Sequence, residues 1–384
     1  MKKGIPALFL FFCFLIVMGI TSLSYAGSAE VLPKGIFSTN VKYSYYFSID
    51  ERFDPDGHEE DLATDFNAPL DSTVFPALGL VEEGFGLPPG FANVGDSVAE
   101  FEYDFHDVIC SFKYGVTDKL SIGIEIPYYF NKNKVKASLD TTNATVGLNP
   151  AVPGGVAPLS IPGTKPLTAE DIQSLLGKGL DTDGDGNIDI PGYGFKRFEN
   201  WSDNGISDIE VGFRYQYLNT DNWRLAFTGG VRLPTGDEDD PDNLVDIGFG
   251  SGAYALLFRS NNDYTGIKNW VFNATFKYDL VLPDEETLRV PRDVNEPITA
   301  NKEKVDRDLG DIFEIEGSAT YQVSEALSLG LLYNYSFALE DDISGDMGFN
   351  YKSLEDETDW TSHYFIVGLS YSTIPMFKNK KFPL

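Results

Sequence analysis

The chain has 384 residues and two cysteines, and 59 acidic against 29 basic side chains give a formal net charge of −30. That balance excludes nucleic acid as a partner, because phosphate contacts need a basic surface. The length allows one large β domain or two smaller ones, and beyond the first residues no run of about 20 apolar positions offers a membrane-spanning helix.

Lys2 and Lys3 precede an apolar run from Ala7 to Ile20, and Ser24-Tyr25-Ala26 supplies small residues for cleavage. Residues 1–26 are therefore predicted to be a secretory signal peptide, with a mature chain, 27–384, folding as a single domain from Gly27. Loss of Lys2 and Lys3 takes the formal charge from −30 to −32. Cys13 lies inside the apolar run without the context of a lipid-modified cysteine. Cys110 is then the sole cysteine of the mature chain, and no intramolecular disulfide is available. An exported chain without a spanning helix is either soluble in a periplasm or a β-barrel in an outer membrane.

After the signal the dominant pattern has period two, which sends alternate side chains to opposite faces of a strand. It begins at Val41–Ile49. A long polar stretch, about 50–98, precedes Phe101, Tyr103 and Phe105 on one parity and Val108, Cys110, Phe112 and Tyr114 on the other, which suggests a bulge near His106-Asp107. After the short turn at Gly115–Lys119, Leu120 to Phe130 alternate cleanly. A second long loop, about 132–204, leads into a hairpin. Ile209, Val211, Phe213, Tyr215 and Tyr217 alternate there with Asp208, Glu210, Gly212, Arg214 and Gln216. Past a polar turn, Trp223, Leu225, Phe227, Val231 and Leu233 alternate with Arg224, Ala226, Thr228, Gly230 and Arg232. A weakly patterned strand, roughly Asp246–Ser260, then a turn starting at Asn261-Asn262-Asp263, precede the strands from Trp270, Phe313, Leu327 and the region of Phe365.

About ten strands (ten to twelve) result, and long loops alternate regularly with short turns. Bacterial outer-membrane barrels have this asymmetry, with tight periplasmic turns and long external loops; a β-sandwich has no reason to place every long connection at one end. Aromatic residues gather at strand ends (Tyr114, Tyr128, Phe130, Tyr217, Trp223, Trp270, Phe337), as interfacial girdles require. The fold expected is all-β: a transmembrane antiparallel up-and-down β-barrel with lipid as its outer partner, in the outer membrane of a Gram-negative bacterium.

The runs Gly205–Tyr215, Val231–Asp237 and Tyr114–Pro127 resemble the core pattern of the meta-pathway phenol degradation-like family, over roughly Phe101 to the C-terminus. The resemblance implies an exported outer-membrane β-barrel of the transporter kind, associated with aromatic or other small organic compounds. In architecture alone it extends to the long-chain fatty acid and toluene transporters. The long first two loops depart from the family pattern.

The sharpest local motif is Asp181-Thr-Asp-Gly-Asp-Gly-Asn-Ile-Asp189. Its acids and glycine match a calcium loop, in which several oxygens must converge around a hard cation and the glycine permits the sharp turn. Asp181, Asp183, Asp185 and Asp189 are expected to bind through side chains and Asn187 through its carbonyl. With Gly192 where a bidentate Glu would stand, the loop resembles dockerin and thrombospondin type 3 repeats more than an EF-hand. The alternative is a solvated Asp/Gly turn. Leu167–Leu176 reads as a short helix before it, with Thr168 as N-cap and Asp171 completing a capping box.

Glu125, Asp208, Glu210, Arg214, Arg224, Arg232, Lys277, Asp279, Glu314 and Glu316 are expected to face the lumen, together with Lys42, Glu102 and Lys113. Their mixed signs point to structural pairing across the wall, with Asp208 opposite Arg232 or one step away. A ten-strand barrel is narrow enough to be filled by side chains. Three histidines, His58, His106 and His363, offer no triad, and Ser362 and His363 point to opposite faces, so no enzyme is expected. Two functions remain: a passive channel or transporter for small hydrophobic or aromatic compounds, or a structural, surface-interacting barrel with a closed lumen and calcium-stiffened acidic loops. Calcium is the one cofactor expected, and the sequence leaves the oligomeric state open.

Overall fold

The computed structural model describes residues 27–54, 57–160, 167–181, 183–291 and 298–371. The expected signal peptide, residues 1–26, lies outside the described residues. The wall consists of β1 (Phe37–Tyr45), β2 (Asp96–Thr117), β3 (Leu120–Asp140), β4 (Trp201–Ile206), β5 (Ile209–Asn219), β6 (Trp223–Leu233), β7 (Ala255–Tyr264), β8 (Trp270–Val281), β9 (Ile312–Gln322), β10 (Leu327–Ala338) and β11 (Trp360–Tyr371). These strands form one antiparallel sheet in chain order, so the architecture is up-and-down.

β4 and β5 both pair with β3, one beside Tyr128–Asn133 and the other beside Leu120–Glu125. They act as a single wall strand interrupted at Ser207-Asp208, opposite Pro127, which has no N–H for the ladder. The Ser207 N–H reaches the Pro127 carbonyl across the gap at 3.0 Å. The wall therefore has ten positions, within the expected range. Its first and last strands, β1 and β11, are the two ends of the sheet and share no ladder among the described residues.

Short turns join β2 to β3, β5 to β6, β7 to β8 and β9 to β10; all the other connections are long and leave from the opposite end. The first loop begins after Tyr45, where β1 ends, and the second only after Asp140, because β3, like β2, is much longer than the sequence pattern suggested. No bulge occurs at His106-Asp107: the β2–β3 register runs unbroken from Asp96 to Gly115. The change of apolar parity has another cause. The upper part of β2 turns Phe101 inward against Ala63, Ala99 and Val245 under the folded loops. The lower part turns Tyr114 and its even-numbered neighbours outward.

The predicted strand over Asp246–Ser260 begins only at Ala255. Gly248, Gly250 and Gly252 let the preceding chain fold inward, with Phe249 buried beside Gly205, where a Cβ would approach the ring to 2.9 Å. Asn261-Asn262-Asp263 is not a turn. It continues β7, opposite Arg224–Ala226 on one side and Asn273–Thr275 on the other. The turn comes later, between Tyr264 and Trp270, where Asn269 adopts φ 65°.

Outward positions carry Val211, Phe213, Tyr215 and Tyr217 on β5, and Phe365, Val367, Leu369 and Tyr371 on β11, all exposed. Inward positions carry Asp107, Ser111, Gln216, Asn261, Asp263, Asn273, Thr275, Asp279, Glu316 and Asn334, all buried. An apolar outer face around a polar interior is the reverse of a soluble protein and the arrangement of a membrane barrel. At the short-turn end Trp223 packs on Tyr264 (centroids 4.8 Å apart) and Trp270 on Tyr321 (5.0 Å), forming one belt. Towards the other end Phe258, Tyr278, Phe313 and Phe337 form a cross-strand ladder with successive spacings of 6.1, 4.8 and 5.1 Å. Rings with one apolar and one interfacial side favour these two levels.

Candidate functional site: the occluded lumen

Opposite charges on neighbouring strands build the lumen wall. Arg232 lies directly across from Glu210 and donates to it at 3.0 Å and to Asp279 at 2.6 Å. Arg259 donates to the second oxygen of Glu210, also at 3.0 Å. Two guanidiniums and two carboxylates thus form a closed group near the external end. Lower down, Lys277 pairs with Glu314, its cross-strand partner, and lies 3.5 Å from Glu316. Glu125 accepts from Ser111 at 2.9 Å. Pairing of this sort removes charge from the bore at little cost only when each group keeps its partners.

Asp208 does not pair with Arg232. The hairpin turn closes with Asn219 opposite Arg224, and a bulge between Leu225 and Ala226 then shifts the register by one residue, which sets Glu210 opposite Arg232. Asp208, at the break in the wall, instead accepts the N–H groups of Thr235 (3.1 Å), Gly236 (3.0 Å) and Ser251 (2.9 Å) and the Ser251 hydroxyl (3.1 Å). It fixes both ends of the inward-folded loop. Glu102 also departs from expectation: it stands on the outside of upper β2, bonded to Lys134 at 2.7 Å and Ser48 at 2.9 Å.

The centre of the lumen holds a part of the chain the sequence did not mark. Residues 27–34 enter at the short-turn end and run up the bore. The Lys34 N–H bonds to Asp118 at 3.0 Å, and the Leu32 N–H to Ser121 at 2.8 Å. Gly115 lets this strand of chain pass, since a Cβ there would lie 2.1 Å from the Pro33 carbonyl oxygen. Glu30 pairs with Arg224. The Ala29 N–H and the Ser28 hydroxyl both donate to Asp263, at 3.2 and 3.0 Å. Arg214 and Gln216 donate to the carbonyls of Ser28 and Ala29, at 2.6 and 2.9 Å. The Gly27 carbonyl accepts from Asn261 (2.7 Å), Asn273 (3.0 Å) and Thr275 (2.9 Å). Every backbone group so held is satisfied by a polar wall side chain, as burial requires. Arg214 and Arg224, foreseen as lumen-facing, are thus the clamps of this segment. Asn261 and Asp263 were missed because N-N-D imitates a turn, and Asn273 and Thr275, on the polar face of the strand from Trp270, because they carry no charge; the signal was their alternation with outward residues.

The external mouth is closed differently. The loop 234–254 folds inward, and Asn133 donates to the Val245 carbonyl at 3.1 Å. Above it Arg289 gathers three loops. It donates to the carbonyls of Tyr193, Pro241 and Thr299 at 2.6–2.7 Å, pairs with Asp242 at 2.6 Å and stacks 3.7 Å above the Phe195 ring. The loop cores are apolar: Val290, Val305 and Ile343 form one, and Phe75, Val94, Ile172, Leu175 and Leu180 another. Ile172 and Leu175 belong to the expected helix (Ala169–Leu176), whose capping box is formed: the Thr168 N–H meets Asp171 at 2.7 Å and the Asp171 N–H meets Thr168 at 3.3 Å.

In the acidic loop, ligand oxygens of Asp181, Asp183 and Asp189 lie within 4.8 Å of one another. Asp181 accepts the N–H groups of Gly184 (2.6 Å) and Gly186 (2.8 Å), and the Gly186 bond is foremost in holding its carboxyl below the usual range. Asp185 turns to Asn187, accepting its N–H at 2.7 Å, and is not part of the converging group. Of the histidines, His58 pairs with Asp54 in the first loop. His106 and His363 each meet a tyrosine on the wall, Tyr43 at 3.0 Å and Tyr333 at 2.9 Å. Ser362 is on the opposite strand face from His363.

Among curated proteins none matches the chain in sequence. Of solved structures, an outer membrane channel of Pseudomonas putida F1 is similar at 13% identity, covering 89% of this chain and 84% of its own, with a TM-score of 0.46. The monoaromatic hydrocarbon channel CymD shares 9% identity over 87% of this chain and 69% of its own, with a TM-score of 0.35. The toluene transporter TodX of Pseudomonas putida shares 12% over 87% and 77%, with a TM-score of 0.33. The profile of the MetA-pathway of phenol degradation family matches residues 167–378, which is more than half of the chain and includes the hairpin that resembled it. The chain belongs to that family.

Proposed function

We propose that the protein is a gated outer-membrane channel for small hydrophobic or aromatic compounds. One observation carries this reading: the wall does not close the bore alone, because its centre is filled by residues 27–34. Residues 27–34 make no ladder with the wall and leave it by breaking side-chain hydrogen bonds only. A structural barrel would gain more from wall side chains meeting across the bore, as small barrels do. The family name supports the aromatic class of solute. Uptake into proteoliposomes tests it: toluene or phenol enters faster than into protein-free vesicles, while sugars of similar size do not. Equal rates with and without protein would favour the closed, surface-interacting barrel.

We further propose that Asp181, Asp183 and Asp189 bind calcium, with Asp185 and Asn187 supplying outer oxygens, and that the ion stiffens the second external loop. The support is the convergence of three carboxylates on a loop whose glycines, Gly184 and Gly186, hold φ near 80° and 92°. Hard cations favour such oxygen sets. Calcium then slows proteolysis between Leu167 and Phe195, and Asp183→Asn abolishes the protection; cleavage indifferent to calcium would refute the site.

A further inference from the structure

Glu316 is a buried carboxylate with only half of its partners. Its residue is 3% exposed and it faces the bore from β9. One oxygen lies 3.5 Å from the Lys277 ammonium. The other, Oε1, is buried and has no hydrogen-bond partner among the described residues. Lys277 is itself shared with Glu314, which also accepts from Asn334. Two carboxylates here face one ammonium, whereas the Arg232–Arg259–Glu210–Asp279 group above is balanced. A buried carboxylate oxygen left without a donor carries the cost of its lost hydration.

Gly27 ends the described segment at this point. A Cβ on Gly27 would stand 2.6 Å from Glu316 Oε1 and 2.2 Å from Thr275 Oγ1. With a bond of about 1.5 Å, its Cα lies within roughly 4 Å of that oxygen. Its φ of +75° is one that side-chain-bearing residues rarely adopt. The position thus demands glycine on two independent grounds, space and backbone conformation. It is also the residue at which the sequence pattern places the mature N-terminus.

We propose that the α-ammonium group of Gly27, created when the peptide bond after Ala26 is cut, is the missing partner of Glu316. The new charge supplies the absent donor to Oε1 and brings the local balance to two cations and two anions. Signal cleavage would then set the lumen plug: an amide nitrogen at Gly27 carries no charge, and a longer terminus displaces the amine from Glu316. The inference rests on the export reading and on the plugged lumen.

Mass spectrometry of the protein purified from outer membranes separates the two readings. A first residue other than Gly27 overturns the export reading and this proposal together; Gly27 in first place leaves the proposal to the next measurement. Acetylation of the α-amine by a water-soluble ester is followed in the folded barrel at neutral pH, with lysines as internal references. In the native protein the α-amine reacts slowly. In Glu316→Gln it reacts about tenfold faster, the effect of losing one charge-assisted hydrogen bond. A variant with one extra alanine before Gly27 reacts as fast as an unfolded chain and keeps Glu316 intact, which guards against misfolding of the glutamine variant. Equal α-amine reactivity in the native, Glu316→Gln and extended proteins, all with the heat-modifiable mobility of a folded barrel, would overturn the proposal.

Discussion

The lumen is closed at two levels by two kinds of material, and the contrast says which of the two the proposed gating would move. The external closure is made of loops tied to the wall at both ends, with apolar cores around Val305 and Phe75 and the Arg289 clasp between them. The internal closure is a single strand of chain, residues 27–34, that joins the wall at β1. It is held by polar contacts: Ser28 and Ala29 on Asp263, and Glu30 on Arg224. Apolar burial is non-directional and survives small displacements, whereas a hydrogen-bonded segment is either seated or unseated. A plug built for release has to be of the second kind.

The largest effect is expected at Asp263, which is fully buried and serves Ser28, Ala29, Arg224 and Asn273 together. Asp263→Ala leaves Arg224 with Glu30 alone and unseats the segment, a loss of about 3–5 kcal/mol by analogy with broken buried ion pairs. Thiol labelling of an Ala29→Cys reporter rises in that background while external loops keep their protease resistance. Arg289→Ala makes the opposite cut. It costs the cap about 3 kcal/mol, exposes the 141–200 and 283–310 loops to protease, and leaves residue 29 protected. If either variant opened both closures, the two levels would be one cooperative unit and the contrast would fail.

A smaller effect sharpens the boundary. Asp208→Ala frees the N–H groups of Thr235, Gly236 and Ser251 at a cost of about 2 kcal/mol, and faster amide exchange should appear in loop 234–254 before it appears in β5 or β6. The smallest is a pH dependence confined to the cap. Burial, with the neighbouring Glu238 and Asp284 charges, pushes the Glu286 carboxyl from 4.5 up to about 7, against the pull of Arg307. A raised folded value means the cap favours the proton. Its contribution to stability is full below 4.5 and is lost as pH rises through about 7. Exchange of amides in 284–289 should accelerate over that window and become flat in Glu286→Gln, with no change at Ala29.

The wall was legible in the sequence because period two is a local signal: the hairpin 205–236, the short turns other than the one after β7, and the girdle tryptophans all follow from it. Upper β2 was misread as bulged because Phe101 turns inward beneath loops whose folding no local pattern announces. Lumen facing was likewise readable for Glu210, Arg232, Lys277 and Glu314, since charge on the minor face of an aromatic strand has one place to go. Partner choice was not. Closure of the turn between Asn219 and Arg224 and one bulge at Leu225-Ala226 set Arg232 opposite Glu210 and left Asp208 to organise a loop. The plug was invisible for a different reason: Gly-Ser-Ala-Glu carries no pattern of its own, and its partners, Asn261 and Asp263, are polar residues that resemble a turn. Long-range polar recognition leaves little trace in one chain's periodicity.

Single-channel recording of the barrel lacking residues 27–33, beside the full mature chain, tests the gating claim most directly. The intact protein should show low conductance with infrequent brief openings, and the shortened one a steady conductance about tenfold higher, because the bore loses the segment seated at its centre while the wall stays paired. Identical traces from two barrels with the same heat-modifiable mobility would contradict it, since the wall side chains would then close the lumen without the plug.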